Sequence, residues 1–362
     1  MGDNSTESPD GHGAFEIAGE SIPPGERRTL AIPVTHQVTG FPANLALQVI
    51  HGKEPGPAVF VSAAIHGDEI VGTAIIQRLV ARITPDDLKG TLILCPAVNI
   101  FGFMQHMRYL PDRRDLNRSF PGSQRGSLAA QLAHCFLEHV IDRCSLGIDL
   151  HTAAINRYNL PQIRIASGSP YLVELAMAFG APVIIESPLR PGSMRALAAE
   201  REVPMLLMEA GEALRFDRLS IDIGTSGICR VLAHIGMIDA DDGLTSVGIP
   251  ARANRSSWVR APRGGVTHRV RKSGDIVYKG DLLATVTGLF GEDGQEMLAS
   301  VDGIIIGHAT LPVVNQGDAV FHIAQLEHPE RAGDRIDTIT EAIMASEPAG
   351  TAQPMMDEDE VL

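Results

Sequence analysis

The sequence predicts an α/β protein: a mixed sheet with helices on both faces, followed by a small all-β unit. Two patterns carry this. From residue 58 to 209, short apolar runs alternate with stretches of helical spacing. After about residue 254 the helical spacing stops, and short strands succeed one another across Gly-Asp and Asp-Gly turns. A chain of 362 residues is long enough for both.

Residues 1–25 are polar and rich in Gly and Pro, and read as a flexible segment. They have neither the basic start nor the apolar run of a secretory signal. Gly2 and Thr6 match the short myristoylation pattern, but without a polybasic stretch the match reads as chance. TLAIPVTHQV and LALQVI, within 28–50, alternate as strands do. The apolar runs are AVFVSAAI (58–65), TLILCPAV (91–98), LGIDL (146–150), QIRIAS (162–167), PVIIE (182–186) and PMLLME (204–209). Apolar on both faces, they suit a sheet covered on both sides. In 127–143, Leu128, Leu132, Phe136 and Val140 recur every four residues behind Ser127, a helix N-cap. Segments 70–83, 170–180, 193–202 and 224–237 are helical by similar spacing. Residues 26–250 thus form one domain and 251–326 an all-β domain. Within the latter, KSGDIVYKGDLLATV and VNQGDAVFHIAQL resemble each other, as in a pseudo-symmetric small barrel. Residues 327–362 read as a helix and an acidic tail.

The net charge of −14 argues against nucleic acid and anionic membrane as partners, since both need clustered Lys and Arg. No apolar run reaches the ~18 residues that span a bilayer. Cys95, Cys135, Cys144 and Cys229 contain no Cys-x-x-Cys pair, and read as reduced, mostly buried thiols of a cytoplasmic protein.

The first apolar run stops in His66, Gly67, Asp68 and Glu69. A strand end followed by a glycine turn can aim both His66 and Glu69 at one point, and imidazole and carboxylate are zinc ligands. His151, in GIDLHTA, also follows a strand and completes two imidazoles and a carboxylate. That set leaves a fourth zinc position for water. Asp149 points to the same side as His151, either to orient it or to cap the sheet end. Glu209 ends the last apolar strand, where a carboxylate is costly without a partner or a task. Beside activated water it can act as general base. Glu212, beyond Gly211, is the more solvated neighbour. In MRYLPDRRDLNRSFPG (107–122), Arg108, Arg113, Arg114 and Arg118 offer forks for carboxylates, or pair internally with Asp112 and Asp115. His134 and Glu138, at i and i+4 opposite the Leu128/Leu132 stripe, read as a solvated helix face.

Taken in order, HGDE, RDLNRSFPG, DLHT and EAG closely resemble the succinylglutamate desuccinylase/aspartoacylase family of the zinc metallocarboxypeptidase superfamily. The resemblance covers roughly 56–240. It implies a zinc-carboxypeptidase-like sheet and one Zn2+ per chain on His66, Glu69 and His151, with Glu209 as general base. It implies that Asn117 and Arg118 hold the substrate carboxylate, and that Arg108 polarises the scissile carbonyl. Arg113 or Arg114 can substitute for Arg108, because the spacing ahead of the Asp-Leu-Asn-Arg motif is longer here. The β unit resembles the barrel-sandwich module of the family and also biotinyl and lipoyl carriers. Its tip, GEDGQEMLAS, has no lysine to modify, so it reads as structural. The expected activity is hydrolysis of the amide of a small N-acyl amino acid. The alternatives are a metallocarboxypeptidase acting on peptides or amino-acid-tagged polymers, and a non-catalytic zinc-binding scaffold. Arg157, Arg190 and Arg195 are candidates for a second substrate anion; acyl group, amine and homo-oligomeric state stay open.

Overall fold

A computed structural model of the chain describes residues 12–36, 42–240 and 250–329. A hairpin of β1 (Phe15–Ile17) and β2 (Glu20–Ile22) precedes two long strands, β3 (Arg27–His36) and β4 (Pro42–His51). The α/β part runs β5 (Glu54–Ala63), α1 (Val71–Arg82), β6 (Lys89–Cys95), α2 (Ile100–Gln105), α3 (Leu128–His139), β7 (Leu146–Ala153) and β8 (Arg157–Ile165). It continues through α4 (Pro170–Phe179), β9 (Val183–Glu186), α5 (Met194–Glu200), β10 (Met205–Glu212) and α6 (Arg218–His234). The last strands are β11 (Ala251–Ala253), β12 (Ser256–Arg260), β13 (Gly265–Arg269), β14 (Ile276–Val277) and β15 (Leu282–Thr287). They end with β16 (Gln295–Leu298), β17 (Gly303–Ala309), β18 (Val313–Val314) and β19 (Ala319–Gln325).

The main sheet has the order β12-β19-β17-β8-β10-β7-β5-β6-β4-β3. At its centre β6, β5, β7 and β10 are mutually parallel, so their carboxyl ends share one edge. Helices α1, α4 and α6 cover one face through Ile75, Leu79, Leu175, Phe179, Ile228 and Leu232. Helices α3 and α5 cover the other through Leu132, Phe136, Leu197 and Ala198. Each of the buried leucine, isoleucine and phenylalanine side chains among these contributes about 1.5–3 kcal/mol. Phe60 of β5 meets Phe136 edge to face, with ring centres 5.8 Å apart. Gly147 of β7 leaves room for it, since a Cβ there would lie 2.2 Å from Phe60 Cζ. Ser127 caps α3 as expected, accepting from Ala130 N.

The β unit packs a second sheet, β16-β15-β13-β18, over a core of Val259, Leu283, Val286, Val320 and Phe321. Its Gly-Asp turns share one device. Asp275, Asp281 and Asp318 each accept the amide of the residue three places earlier, at 2.9, 3.0 and 2.8 Å. The preceding Gly274, Gly280 and Gly317 hold positive φ.

Two expectations are corrected. The segment 1–25 is not flexible over 15–22. Phe15, Ile17 and Ile22 face one side of the hairpin, and the two isoleucines are fully buried in the second core. Residues 251–253 do not belong to the β unit but pair in parallel with β9. The β unit is continuous with the α/β part, because β17 joins β8 and extends the main sheet. Residues 1–11 and the expected tail over 330–362 lie outside the described residues. No helix among the described residues is long and apolar enough to cross a membrane. The four cysteines are free and buried.

Candidate active site

Strand β5 ends at Ala63, and Ala64, at φ +49°, turns the chain. Glu69 N then bonds His66 O at 3.1 Å and closes the turn that holds both side chains. Gly67 sits hard against α2: a Cβ there would lie 1.9 Å from Gly102 C and 2.2 Å from Phe103 N. No side-chain rotation relieves a clash with backbone. Gly67→Ala is therefore expected to destabilise by roughly 1–3 kcal/mol, as overpacking does, and to weaken metal retention. Thermal unfolding and bound-metal ratio check this; an unchanged melting point and metal ratio would refute the packing argument.

His66, Glu69 and His151 converge. Glu69 Oε1 is 2.7 Å from His66 Nδ1, and Oε2 is 2.8 Å from His151 Nδ1. Thr152 N donates to the same Oε2 at 3.2 Å. The outer nitrogens of both rings face carboxylates. His151 Nε2 lies 2.8 Å from Asp149 Oδ2, whose other oxygen accepts from Ser62 Oγ at 2.8 Å. His66 Nε2 lies 3.3 Å from Asp115 Oδ1. Asp149 thus orients His151 rather than capping the sheet end. Burial alone would raise Glu69, but the two histidines hold it well below the usual carboxylate range. Burial opposes charge on the rings. Glu69 with Asp115 nonetheless raises His66, and Asp149 with Glu69 raises His151 further.

The donor set fits zinc. One ligand atom from each of the three residues lies within 4.8 Å of the others, and all three side chains are buried. Both imidazoles turn Nδ1 inward while a carboxylate fixes the outer nitrogen, the arrangement that sets tautomer and ring angle in metal sites.

The 107–122 loop divides into two parts. Asn99 caps α2 by accepting Gly102 N, and its amide donates to Arg108 O at 3.2 Å. Arg108 thereby reaches Glu69 Oε1 at 3.3 Å and Asp115 Oδ2 at 3.0 Å. Asp115 also accepts Asn117 N at 2.9 Å, so one carboxylate ties His66, Arg108 and the loop together. His66 and Arg108 overcome burial and hold it low. Asn117 is buried and accepts Met194 N at 2.9 Å, fastening this loop to the start of α5 and hence to Arg195. Arg118 lines the same cavity. Arg113 and Arg114 do not: both are exposed, and Arg114 pairs with Asp112 at 3.8 Å. The structure thus does not bring Arg113 to the cavity with Asn117, Arg118 and Arg195.

Glu209 faces the cavity from β10, its Cα in register with His151 on β7. Its Oε2 accepts from Asn159 Nδ2 at 2.9 Å, and its Oε1 lies 3.5 Å from Arg164 Nη1. Glu212 points elsewhere, accepting Asn156 N and Thr310 Oγ1 at 2.9 and 3.2 Å. His134 and Glu138 form a 3.6 Å surface pair. The cavity, about 250 Å³, is lined by six arginines (108, 118, 157, 164, 190 and 195) against three carboxylates, Glu69, Asp149 and Glu209. In a chain of net charge −14 this is a local reversal of sign. Burial and then the charge of Arg164 pull Arg195 down to about 10, and its Nη1 is buried without a protein partner. The β unit supplies one wall: Trp258 stacks on His322 at 4.2 Å, and Arg157 lies over the indole at 5.2 Å. Burial, with Arg164 and Arg157 nearby, keeps His322 neutral by pulling it down to about 3.

Sequence reasoning missed Asn159, Arg164, Trp258 and His322 as wall residues, and Asp115 as an orienting group. Arg164 carried a signal, a charge inside the apolar run QIRIAS. Trp258 and His322 carried none, because their place depends on β17 docking against β8.

The family model for the succinylglutamate desuccinylase/aspartoacylase catalytic domain matches residues 55–235. The chain is 26% identical over 312 residues to N-alpha-acetyl-L-2,4-diaminobutyric acid deacetylase of Halomonas elongata, covering 82% of this chain and 90% of that protein. It is similar to a product-bound ectoine utilization protein EutE (DoeB) from Ruegeria pomeroyi, with TM-score 0.73 and 25% identity over 83% of this chain and 94% of that one. It is similar also to a succinylglutamate desuccinylase/aspartoacylase from Rhodobacter sphaeroides, with TM-score 0.73 and 26% identity over 83% and 95% of the two chains.

Proposed function

The chain belongs to the succinylglutamate desuccinylase/aspartoacylase family, and from that premise we propose that it is a zinc-dependent amidohydrolase of small N-acyl amino acids. The observation that carries the reading is the convergence of His66, Glu69 and His151 in a cavity that also holds Glu209 and Arg108. Zinc held by those three residues would supply a Lewis acid that lowers the pKa of water and polarises a carbonyl. Glu209 takes the proton of the attacking water and returns it to the leaving amine. Arg108 faces the oxyanion, an interaction worth about 3–4 kcal/mol per donor. Asn117 and Arg118 hold the substrate carboxylate, and Arg190 and Arg195 suit a second anionic group. The products are a carboxylic acid and a free amine.

The six arginines lining the cavity suit a compact substrate with more than one anionic group. Buried free thiols are in keeping with the cytoplasm. The test is a mass-spectrometric screen of N-acyl amino acids with acidic, neutral and basic side chains, using zinc-loaded protein and Glu209→Gln as control. Release of free amino acid by the wild type alone supports the reading. Stoichiometric zinc with no turnover on any amide would favour a scaffold, and cleavage of C-terminal residues from peptides a carboxypeptidase.

A further inference from the structure

Asn159 lies on β8 between two glycines, its Cα in register with Gly211 of β10 on one side and Gly307 of β17 on the other. It is 8% exposed, and its Nδ2 donates to Glu209 Oε2 at 2.9 Å. On the side of the β unit the fit is tight. A Cβ on Gly307 would lie 2.8 Å from Asn159 Oδ1 and 3.4 Å from Tyr158 O. β17 cannot easily retreat, because Ile304 and Ile306 are fully buried in the core it shares with Leu160 and Val183. Glu209 sits at a register shift on both flanks of β10, so the ladder alone does not dictate where its carboxylate points.

We propose that Asn159, held in place by Gly307 of the C-terminal β unit, is a positioning residue that aims the Glu209 carboxylate. The β unit then belongs to the catalytic apparatus and is more than an attachment. This rests on the reading of Glu209 as general base. The carboxylate must present a lone pair to water within hydrogen-bond reach, and a displacement of about 1 Å can cost on the order of 10²-fold in rate.

The test is a double-mutant cycle of wild type, Asn159→Ser, Gly307→Ala and the double variant, on the best substrate of the screen. Each single variant is expected to lower kcat by about 10- to 100-fold, with KM and bound zinc unchanged. The double variant is expected to be no worse than Asn159→Ser, because the added methyl then has no amide to displace. Additive losses, or losses confined to KM or zinc content, overturn the proposal. If Gly307→Ala does not fold, Asn159→Ser and Asn159→Asp decide. Both lose kcat, the aspartate more because it sets carboxylate against carboxylate, and full kcat in either overturns the proposal. Crystal structures of wild type and variant give a readout independent of turnover. A Glu209 carboxylate displaced in Asn159→Ser supports the strut, and an unmoved one removes it. Wild-type inactivity across the screen would instead remove the functional reading and leave the strut to the crystal structures.

Discussion

Glu209→Gln is expected to lose turnover by about 10²–10⁴-fold, the usual worth of general acid–base catalysis, while keeping its fold and its zinc. The reason is local. Glu209 is not among the converging metal donors, so an amide there leaves the metal set intact. The amide oxygen can still accept from Asn159, whose bond at 2.9 Å holds the present side chain. Only the pair with Arg164 is lost, and at 3.5 Å with both groups partly exposed it contributes less than about 1 kcal/mol. Steady-state kinetics, zinc analysis and thermal unfolding on one preparation separate these effects. Wild-type turnover in Glu209→Gln would remove it as the base, and loss of zinc would place it among the ligands.

His66→Ala and His151→Ala are each expected to lose stoichiometric zinc and with it all turnover. Asp149→Asn and Asp115→Asn should weaken zinc about 10- to 100-fold, because each disturbs the outer nitrogen of one ligand. Retention of stoichiometric zinc by either alanine variant would strike that histidine from the set. The metal-free protein carries a matching pH signature. Glu69 and its carboxylate neighbours raise both histidines above their ordinary value of 6.5. A raised folded-state pKa contributes stability that is complete below 6.5 and fades as pH climbs through the raised value. Chelated protein should therefore lose melting temperature as pH rises above about 6.5, whereas zinc, which binds the neutral rings and displaces their protons, should restore it. Proton release on zinc addition in weak buffer measures the same linkage. A pH-independent melting point for the chelated protein would argue against the charged cluster.

Much of this site was legible because its candidate residues lie on or just past strands with one-dimensional signatures. β5, β7 and β10 are apolar runs whose ends carry His66, His151 and Glu209, and parallel pairing brings such ends to one edge. The 15–22 hairpin was not legible, because three-residue strands carry too little periodicity to stand out from a polar segment. α2 was not legible either, since IFGFMQ reads as apolar loop until Asn99 caps it. Arg113 and Arg108 have the same chemistry, and only the Asn99 bond to Arg108 O tells them apart.

The sequence by itself determined the α/β class and pointed to three metal candidates and a candidate base, because hydrophobic period and strand-end residues are local properties. The tertiary structure alone decided which arginines face the cavity, that Asp115 and Asp149 orient the two rings, and that the β unit closes one wall. The last of these rests on the pairing of β17 with β8, which joins residues about 150 positions apart. No local pattern encodes such a pairing, because it is chosen by the burial of whole faces rather than by any neighbouring residue.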